Sequence, residues 1–135
     1  METDCIFCKI IKKEVPCNII WENKKLLAFL DVNPASPGHV LIIPKEHFET
    51  IFDTPKDILS EINIRAKQIG KLQKEKLKAT GVNILNASGK DAQQSVGHLH
   101  YHIVPRYQND KLNLWFHGEG KFQDNTENIH KKLTS

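Results

Sequence analysis

The sequence has few of the features that mark secreted, nucleic-acid-binding or membrane-spanning proteins. Its 135 residues include only 3 cysteines, and its net charge is only +3. So small a charge does not indicate a nucleic-acid-binding surface, and no apolar run reaches the roughly 20 residues of a membrane span. An odd number of cysteines indicates a metal site or free thiols before a disulfide. We therefore expect a soluble globular protein with neither a nucleic-acid nor a membrane partner.

The chain also lacks the signs of export and of division into domains. Its first residues, METDCIFCKIIKKE, are acidic where a secretory signal is basic, and no long apolar stretch follows. We therefore expect a cytoplasmic protein. No internal repeat, low-complexity segment or Pro/Gly-rich linker interrupts residues 1–135, which are expected to form a single domain.

Apolar periodicity predicts one short and one long helix. Residues 5–12 fit the short helix, and Thr54, Pro55 and Gly81 fit the cap, first position and stop of the long one. Helical spacing predicts a buried stripe on the long helix. The stripe comprises Ile58, Ile62, Ala66, Ile69, Leu72 and Leu77.

Five apolar stretches predict β-strands, and their order around the long helix predicts an α+β fold with a mostly antiparallel sheet. The strands are expected at residues 18–21, 25–30, 39–44, 82–85 and 99–104. After Pro105 the sequence becomes polar and irregular. In that tail we expect Trp115 to pack in an ordinary way, and His117 and His130 to face solvent.

Three histidines occupy alternate positions in the segment QSVGHLHYHIVP. On a strand, side chains alternate between the two faces, so His98, His100 and His102 would share one face at a spacing of about 6.6 Å. Leu99, Tyr101 and Ile103 would then face the long helix or the core. Three imidazoles side by side carry an electrostatic cost, which argues against an incidental arrangement.

Two chemical interpretations fit this row of histidines. The imidazoles could bind a catalytic metal, or one could be a nucleophile while its neighbours donate hydrogen bonds and move protons. The strand contains no carboxylate that would orient metal ligands. Upstream lies a loop of small polar residues, 86–95, whose amides and hydroxyls suit phosphate oxygens. The flanks therefore favour a histidine nucleophile at phosphorus.

The segment HLHYHIV resembles the H-φ-H-φ-H-φ-φ motif of the histidine triad (HIT) superfamily, where φ is apolar. The stretch CIFCKIIKKEVPCNIIWENKKLLAFLDVNPASPGHVLIIPKEHF is similar to the Hint-like branch, and the similarity runs to about Arg106. This resemblance implies a HIT fold with a five-stranded sheet. It divides the domain into a core at about 4–106 and a C-terminal tail at 107–135.

The resemblance also implies roles for individual residues. His100 would attack phosphorus to form a nucleotidyl-histidine, and His102, His98 and His39 would assist it. The remaining positions would bind a purine nucleotide. Asp31, Asn86, Gln94 and Ser95 would hold ribose and phosphate, and Ile6, Phe7, Ile10, Phe29, Leu30 and Val32 would surround the base, although simple core packing also explains these apolar residues.

The pair Cys5 and Cys8 needs two further ligands to form a closed zinc site. His47 and His98 are candidates, because some bacterial-type HIT proteins resemble this pattern. Bound zinc would tie the N-terminal segment to the histidine row and withdraw His98 from acid–base work. The alternative is two buried thiols, and Cys17 is expected to be an ordinary core or surface residue.

The expected activity is that of a phosphoramidase or hydrolase acting on adenosine monophosphate conjugates, with no cofactor required for catalysis and with structural zinc as an option. A dinucleoside polyphosphate hydrolase and a non-catalytic nucleotide- or zinc-binding module remain as alternatives. The resemblance further implies a homodimer whose sheets join. The chain departs from many relatives at Gln93, where they have glycine, and at Gly97, where they have an aromatic residue. These departures concern the preferred substrate.

Overall fold

A five-stranded antiparallel sheet with strand order β1-β2-β3-β5-β4 is the framework of the computed structural model, which describes residues 4–116, 118–122 and 125–135. This architecture confirms the α+β prediction. The elements are α1 (Ile6–Ile11), β1 (Ile19–Glu22), β2 (Leu26–Leu30), β3 (Val40–Pro44), α2 (Lys56–Leu77), β4 (Gly81–Asn86), β5 (Tyr101–Arg106) and α3 (Thr126–Thr134), with a 3₁₀ turn at Lys90–Ala92.

The two faces of the sheet carry separate apolar clusters, because side chains alternate along each strand. On one face, α2 packs with Leu26, Ala28, Val40 and Ile42, and with Leu99 and Ile103. On the other face, α1 contributes Phe7 and Ile10 to a cluster with Leu27, Phe29, Leu41 and Ile43. The central strands β2 and β3 are therefore apolar on both faces, and the short helix α1 covers the face that matters for the site.

The long helix differs from the sequence prediction at both ends. Its N-cap is Pro55, and Thr54 does not cap it, since its hydroxyl donates instead to the carbonyl of Thr50 at 2.6 Å. The helix stops at Lys78, which adopts the left-handed conformation at φ 63°. Of the predicted stripe, Leu72 and Leu77 are 41% and 46% exposed, and the buried positions that follow Ile69 are instead Gly70 and Gln73.

The tail also differs from the prediction, because residues 126–134 form the helix α3. Trp115 does not pack in the core: it is 62% exposed and stacks on Phe116 with ring centroids 5.0 Å apart. His130 is exposed as expected, and His117 lies outside the described residues. None of the helices described has both the length and the apolar character to cross a bilayer.

Candidate active site

The alternating histidines do not all belong to β5, which begins only at Tyr101. His98 and His100 lie in the extended segment before it, where the Leu99 amide donates to the Phe48 carbonyl at 2.7 Å. The alternation of faces nevertheless persists, because Leu99 is buried on the α2 face as predicted. The row of histidines then divides: His98 approaches two cysteines, whereas His100 and His102 line a cavity.

His100 is held as a neutral ring with a defined tautomer. It is 3% exposed, and burial lowers its pKa. Its Nδ1 lies 2.8 Å from the carbonyl oxygen of His98. A carbonyl can only accept, so Nδ1 carries the proton and Nε2 carries the lone pair. At neutral pH the ring is thus a nucleophile by its electronic state, and its place in the cavity wall exposes it to a ligand.

His102, which is half-buried, pairs with the buried His39 that directly precedes β3. Its Nδ1 lies 2.9 Å from Nε2 of His39, and the ring of His100 is 5.1 Å away, centroid to centroid. Burial lowers the pKa of His102 to about 4, helped by the charges that His100 and His39 would carry. Burial also lowers the pKa of His39, against the opposing effect of Asp31, whose Oδ2 lies 3.6 Å from Nε2. Both rings are therefore neutral at pH 7.

A cavity of about 240 Å³ lies between α1, β2 and the segment before β5. His100, His102, Asp31 and Ser95 supply its polar wall. It also adjoins a larger open cleft of about 710 Å³ through Ile6, Ser95 and Val96. Its apolar wall consists of Ile6, Phe7, Ile10, Cys17, Phe29, Val32, Leu41 and Val96.

Five of the six apolar residues predicted for this wall line it, and Leu30 does not. Leu30 packs on the α2 face of the sheet, since it alternates with Phe29 and Asp31 along the chain. Cys17, Leu41 and Val96 also line the cavity but were not predicted as wall residues. Leu41 could have been found by strand alternation from His39, whereas the position of Cys17 depends on how the segment between α1 and β1 folds back.

Two polar residues predicted to contact nucleotide, Asn86 and Gln94, hydrogen-bond to the backbone around the site. The Asn86 amide donates to the His100 carbonyl at 3.1 Å, while its Oδ1 accepts from the Ser88 hydroxyl at 2.8 Å. Gln94 accepts from the Gly89 amide at 2.8 Å and donates to the carbonyls of Glu49 and Val96 at 2.7 and 2.9 Å. Neither side chain lines the cavity. Both belong to the polar loop at residues 86–95, whose Ser95 lines the cavity.

The departure at Gln93 has a conformational meaning. Gln93 follows the 3₁₀ turn in the left-handed conformation at φ 68°, which glycine adopts without steric cost. A glycine at this position would suit the same turn. At Gly97 the space is open, since a Cβ there would meet only Glu49 Oε1 at 3.9 Å.

The N-terminal cysteines and two histidines bring four donor atoms together. His47 Nδ1 lies 3.1 Å from His98 Nδ1 and 3.3 Å from the sulfur of Cys8. The sulfur of Cys5 lies 3.4 Å from His98 Nδ1, and that of Cys8 lies 3.6 Å from it. A tetrahedral zinc site with the usual Zn–N and Zn–S bond lengths has edges of about 3.3 to 3.8 Å, so the spacing fits zinc within a few tenths of an ångström.

The tautomer of His98 also suits a metal ligand. Its Nε2 donates to the Pro44 carbonyl at 2.8 Å, which places the lone pair on Nδ1, toward the two sulfurs. A second partner that fixes the ring in this way is typical of histidines that bind metals. His98 is fully buried, and burial lowers its pKa to about 4.

Comparisons with known proteins identify close relatives over most of the chain. Residues 12–109 match the HIT domain family. The chain is 38% identical to adenosine 5'-monophosphoramidase HNT1 of Saccharomyces cerevisiae, over 98% of this chain and 82% of that one. A HIT family protein of Bacillus anthracis has a similar structure, with a TM-score of 0.85, 34% identity, and coverage of 98% of this chain and 96% of that one. A zinc-bound histidine triad family protein of Mycobacterium smegmatis gives a TM-score of 0.79 at 36% identity, with coverage of 85% and 84%.

Proposed function

The chain belongs to the HIT domain family, and we propose that it is a phosphoramidase that hydrolyses conjugates of adenosine monophosphate through a nucleotidyl-His100 intermediate. At the coarser level it is a hydrolase acting on phosphorus bonds, as the similarity to a named adenosine 5'-monophosphoramidase indicates. The observation that carries the finer proposal is the fixed tautomer of His100, whose Nε2 lone pair lies on a ring in the cavity wall.

The proposed reaction has two steps. In the first, the lone pair on His100 Nε2 forms a bond to phosphorus, and the bond from phosphorus to the amine breaks as the amine takes a proton. In the second, water attacks the same phosphorus, the P–N bond to His100 breaks, and the monophosphate leaves. Covalent catalysis of this kind divides one difficult displacement into two easier ones.

The cavity supplies the binding part of the proposal. The apolar wall formed by α1 and β2 would take the purine ring, and the Asp31 carboxylate would accept hydrogen bonds from the ribose hydroxyls. Ser95 would donate to the phosphate beside His100 and His102. Asn86 and Gln94 would support the phosphate loop by holding its backbone, without touching the ligand.

Replacing the nucleophile tests the mechanism. His100→Ala should abolish hydrolysis of adenosine phosphoramidate, while adenosine monophosphate still binds. The matched control is His130→Ala on the exposed face of α3, which should turn over normally. Quenching the wild-type reaction and sequencing its peptides by mass spectrometry should locate an adenylyl group on His100. Full turnover by His100→Ala would exclude the mechanism, and nucleotide binding without any turnover by wild type would leave a binding module.

The panel of substrates should include diadenosine polyphosphates, since a preference for them would replace the phosphoramidase proposal by a polyphosphate hydrolase. Repeating the assay after a chelator has removed metal tests for metal chemistry at the row of histidines. Activity that survives metal removal in a folded sample is expected for a histidine nucleophile.

We also propose that Cys5, Cys8, His47 and His98 hold a structural zinc ion. Such an ion would stabilise the fold by tying α1 to the segment that precedes β5, and the donor spacing supports it. Protein purified without chelator should contain one zinc per chain by elemental analysis. Cys8→Ser should lose it and Cys17→Ser should keep it, whereas equal metal contents in the two variants would contradict the assignment.

A homodimer joined through β4 is part of the same proposal. β4 pairs with β5 on one side and lies at the end of the strand order, and its Ile84 is 46% exposed. Light scattering should give twice the chain mass, and Ile84→Lys should shift it toward the monomer, since a charge on an edge strand opposes pairing. A monomeric wild type at micromolar concentration would refute this part.

A further inference from the structure

The His39–His102 pair rests on a loop that fixes where its protons lie. The amide of Ala35 lies 3.0 Å from His39 Nδ1 and donates to it. Because that nitrogen accepts, a neutral His39 carries its proton on Nε2, which then donates to His102 Nδ1 at 2.9 Å. His102 Nδ1 is thereby the acceptor, and a neutral His102 must carry its own proton on Nε2. A single backbone amide thus determines the tautomers of two rings.

The same chain of hydrogen bonds argues against an alternative use of these residues. Asp31, His39 and His102 place three donor atoms within 4.8 Å of one another, as a metal site would require. The proton on His39 Nε2 lies between the two nitrogens, however, and moving it to Nδ1 would set two N–H groups against each other at Ala35. The geometry therefore favours a fixed hydrogen bond over an ion at this position.

Ser36 anchors the loop that presents the Ala35 amide. The residue is 6% exposed, and its hydroxyl donates to the Pro105 carbonyl at 2.6 Å. Pro105 belongs to β5, the strand that carries His102, while the Ser36 carbonyl accepts from the His39 amide at 3.2 Å. One serine therefore connects both partners of the histidine pair, by its hydroxyl to the strand of His102 and by its carbonyl to His39.

Neighbouring contacts leave this loop little freedom. The Tyr107 hydroxyl donates to the Pro37 carbonyl at 2.6 Å, and the Gln73 amide donates to the Gly38 carbonyl at 3.0 Å. Gly38 has φ 93°, and a Cβ there would lie 2.3 Å from Leu77 Cδ1. Glycine adopts this conformation without steric cost, whereas a larger residue would be strained and would also displace the Leu77 side chain.

We propose that Ser36 is a positioning residue which, through the Ala35 amide and His39, keeps His102 in the tautomer that donates from Nε2. Resting on the proposed function, this assigns His102 Nε2–H the role of hydrogen-bond donor to the departing amine. As the bond from phosphorus to the amine nitrogen breaks, this hydrogen bond stabilises the amine, which takes a proton from solvent water, and His102 stays neutral. In the second step the attacking water gives its proton to solvent, so that the two proton transfers balance and His102 keeps the same tautomer throughout.

Nitrogen-15 NMR of the resting protein at pH 7 tests the proposal without any turnover, because protonated and bare imidazole nitrogens have distinct shifts. In wild type, His39 and His102 should each show a protonated Nε2 and a bare Nδ1, whereas His100 should show the reverse. In Ser36→Ala, the shifts of His39 and His102 should move toward a mixture of tautomers. His100 is the internal control, since its tautomer depends on the His98 carbonyl.

Kinetics provide a second, quantitative readout. If only one tautomer of His102 donates, kcat falls in proportion to the competent fraction, so a variant with about one tenth of His102 in that form should keep about one tenth of kcat. KM should stay within about twofold, as Ser36 does not line the cavity. Ser60→Ala, the same change on the exposed face of α2, should match wild type. Ser36→Thr, which restores the hydroxyl, should recover both tautomer and kcat.

Three results would overturn the proposal. The first is a wild-type His102 protonated at Nδ1, which can be measured even if no Ser36 variant folds. The second is a folded Ser36→Ala with unchanged tautomers, and the third is altered tautomers with an unchanged kcat. Absence of turnover in wild type would refute the proposed function but leave the tautomer result intact, so the two failures can be told apart.

Discussion

Acidification should destabilise this protein through His102, and the structure gives the size of the effect. Burial among other histidines lowers the pKa of His102 to about 4 in the folded state, whereas an unfolded histidine titrates near 6.5. Between pH 4 and pH 6.5, His102 is therefore largely protonated in the unfolded chain and largely neutral in the folded protein. The free energy of unfolding therefore falls as the pH drops below about 6.5, and this loss is complete below about 4.

The full difference in pKa corresponds to about 3.4 kcal/mol, of which about 2 kcal/mol would be lost by pH 5. The ring of His102 is partly exposed in the cavity wall, so that solvent screens part of this penalty. We therefore expect about 1 kcal/mol at pH 5. That is a measurable fraction of the roughly 5 to 15 kcal/mol by which domains are stable.

Urea denaturation at pH 7, 6 and 5 of zinc-loaded wild type and His102→Gln measures this contribution. Glutamine can still accept from His39 Nε2 but cannot be protonated, and any effect of metal loss is common to both proteins. Wild type should lose about 1 kcal/mol more than the variant between pH 7 and pH 5, and His130→Gln should behave like wild type. Equal losses in wild type and His102→Gln would show that the linkage argument is wrong.

Two further predictions follow from the faces and ends of elements. Phe29→Leu should weaken binding of adenosine monophosphate about 2- to 10-fold in calorimetry, because its edge contact with Phe7, at 5.8 Å between centroids, is lost. Leu30→Ala, on the opposite face, should leave this affinity within about twofold. Comparable losses of affinity in both variants would show that Phe29 and Leu30 do not lie on opposite faces of the sheet. Lys78→Gly should raise the free energy of unfolding by about 1 kcal/mol, since Lys78 ends α2 at φ 63°. Lys76→Gly, inside the same helix, should lower the free energy of unfolding by about 1 kcal/mol. If thermal melts show that both variants are stabilised or both are destabilised, the capping argument is wrong.

The sheet and the long helix were predictable because their signals are local. Runs such as LLAFL and HVLIIP leave little alternative to buried strands, and the helical stripe is regular over four turns. The helix ends were less so. Threonine is a common N-cap residue, but the Thr54 hydroxyl donates to the Thr50 carbonyl. At the other end the helix stops at Lys78 in the left-handed conformation, three residues before Gly81. The helix α3 was missed because its spacing of Ile129 and Leu133 covers a single repeat.

The residues that line the cavity were largely predictable from the sequence, whereas their hydrogen-bond contacts were less so. Alternation along β2 places Leu30 on the face opposite Phe29 and Asp31, and this could have been read from the sequence. The backbone contacts of Asn86 and Gln94 were not predictable, since they join segments that are distant in sequence. The same holds for the bond from Ser36 to Pro105, 69 residues away, which only the fold reveals.

The short helix α1 belongs to two sites at once. Cys5 caps it and Cys8 lies within it, while Ile6, Phe7 and Ile10 form one wall of the cavity. Under the proposed function, a zinc ion bound by this helix and a nucleotide in contact with it would each reduce the motion of the helix. By thermodynamic linkage, the factor by which the bound ion raises the affinity for nucleotide must equal the factor by which bound nucleotide raises the affinity for the ion.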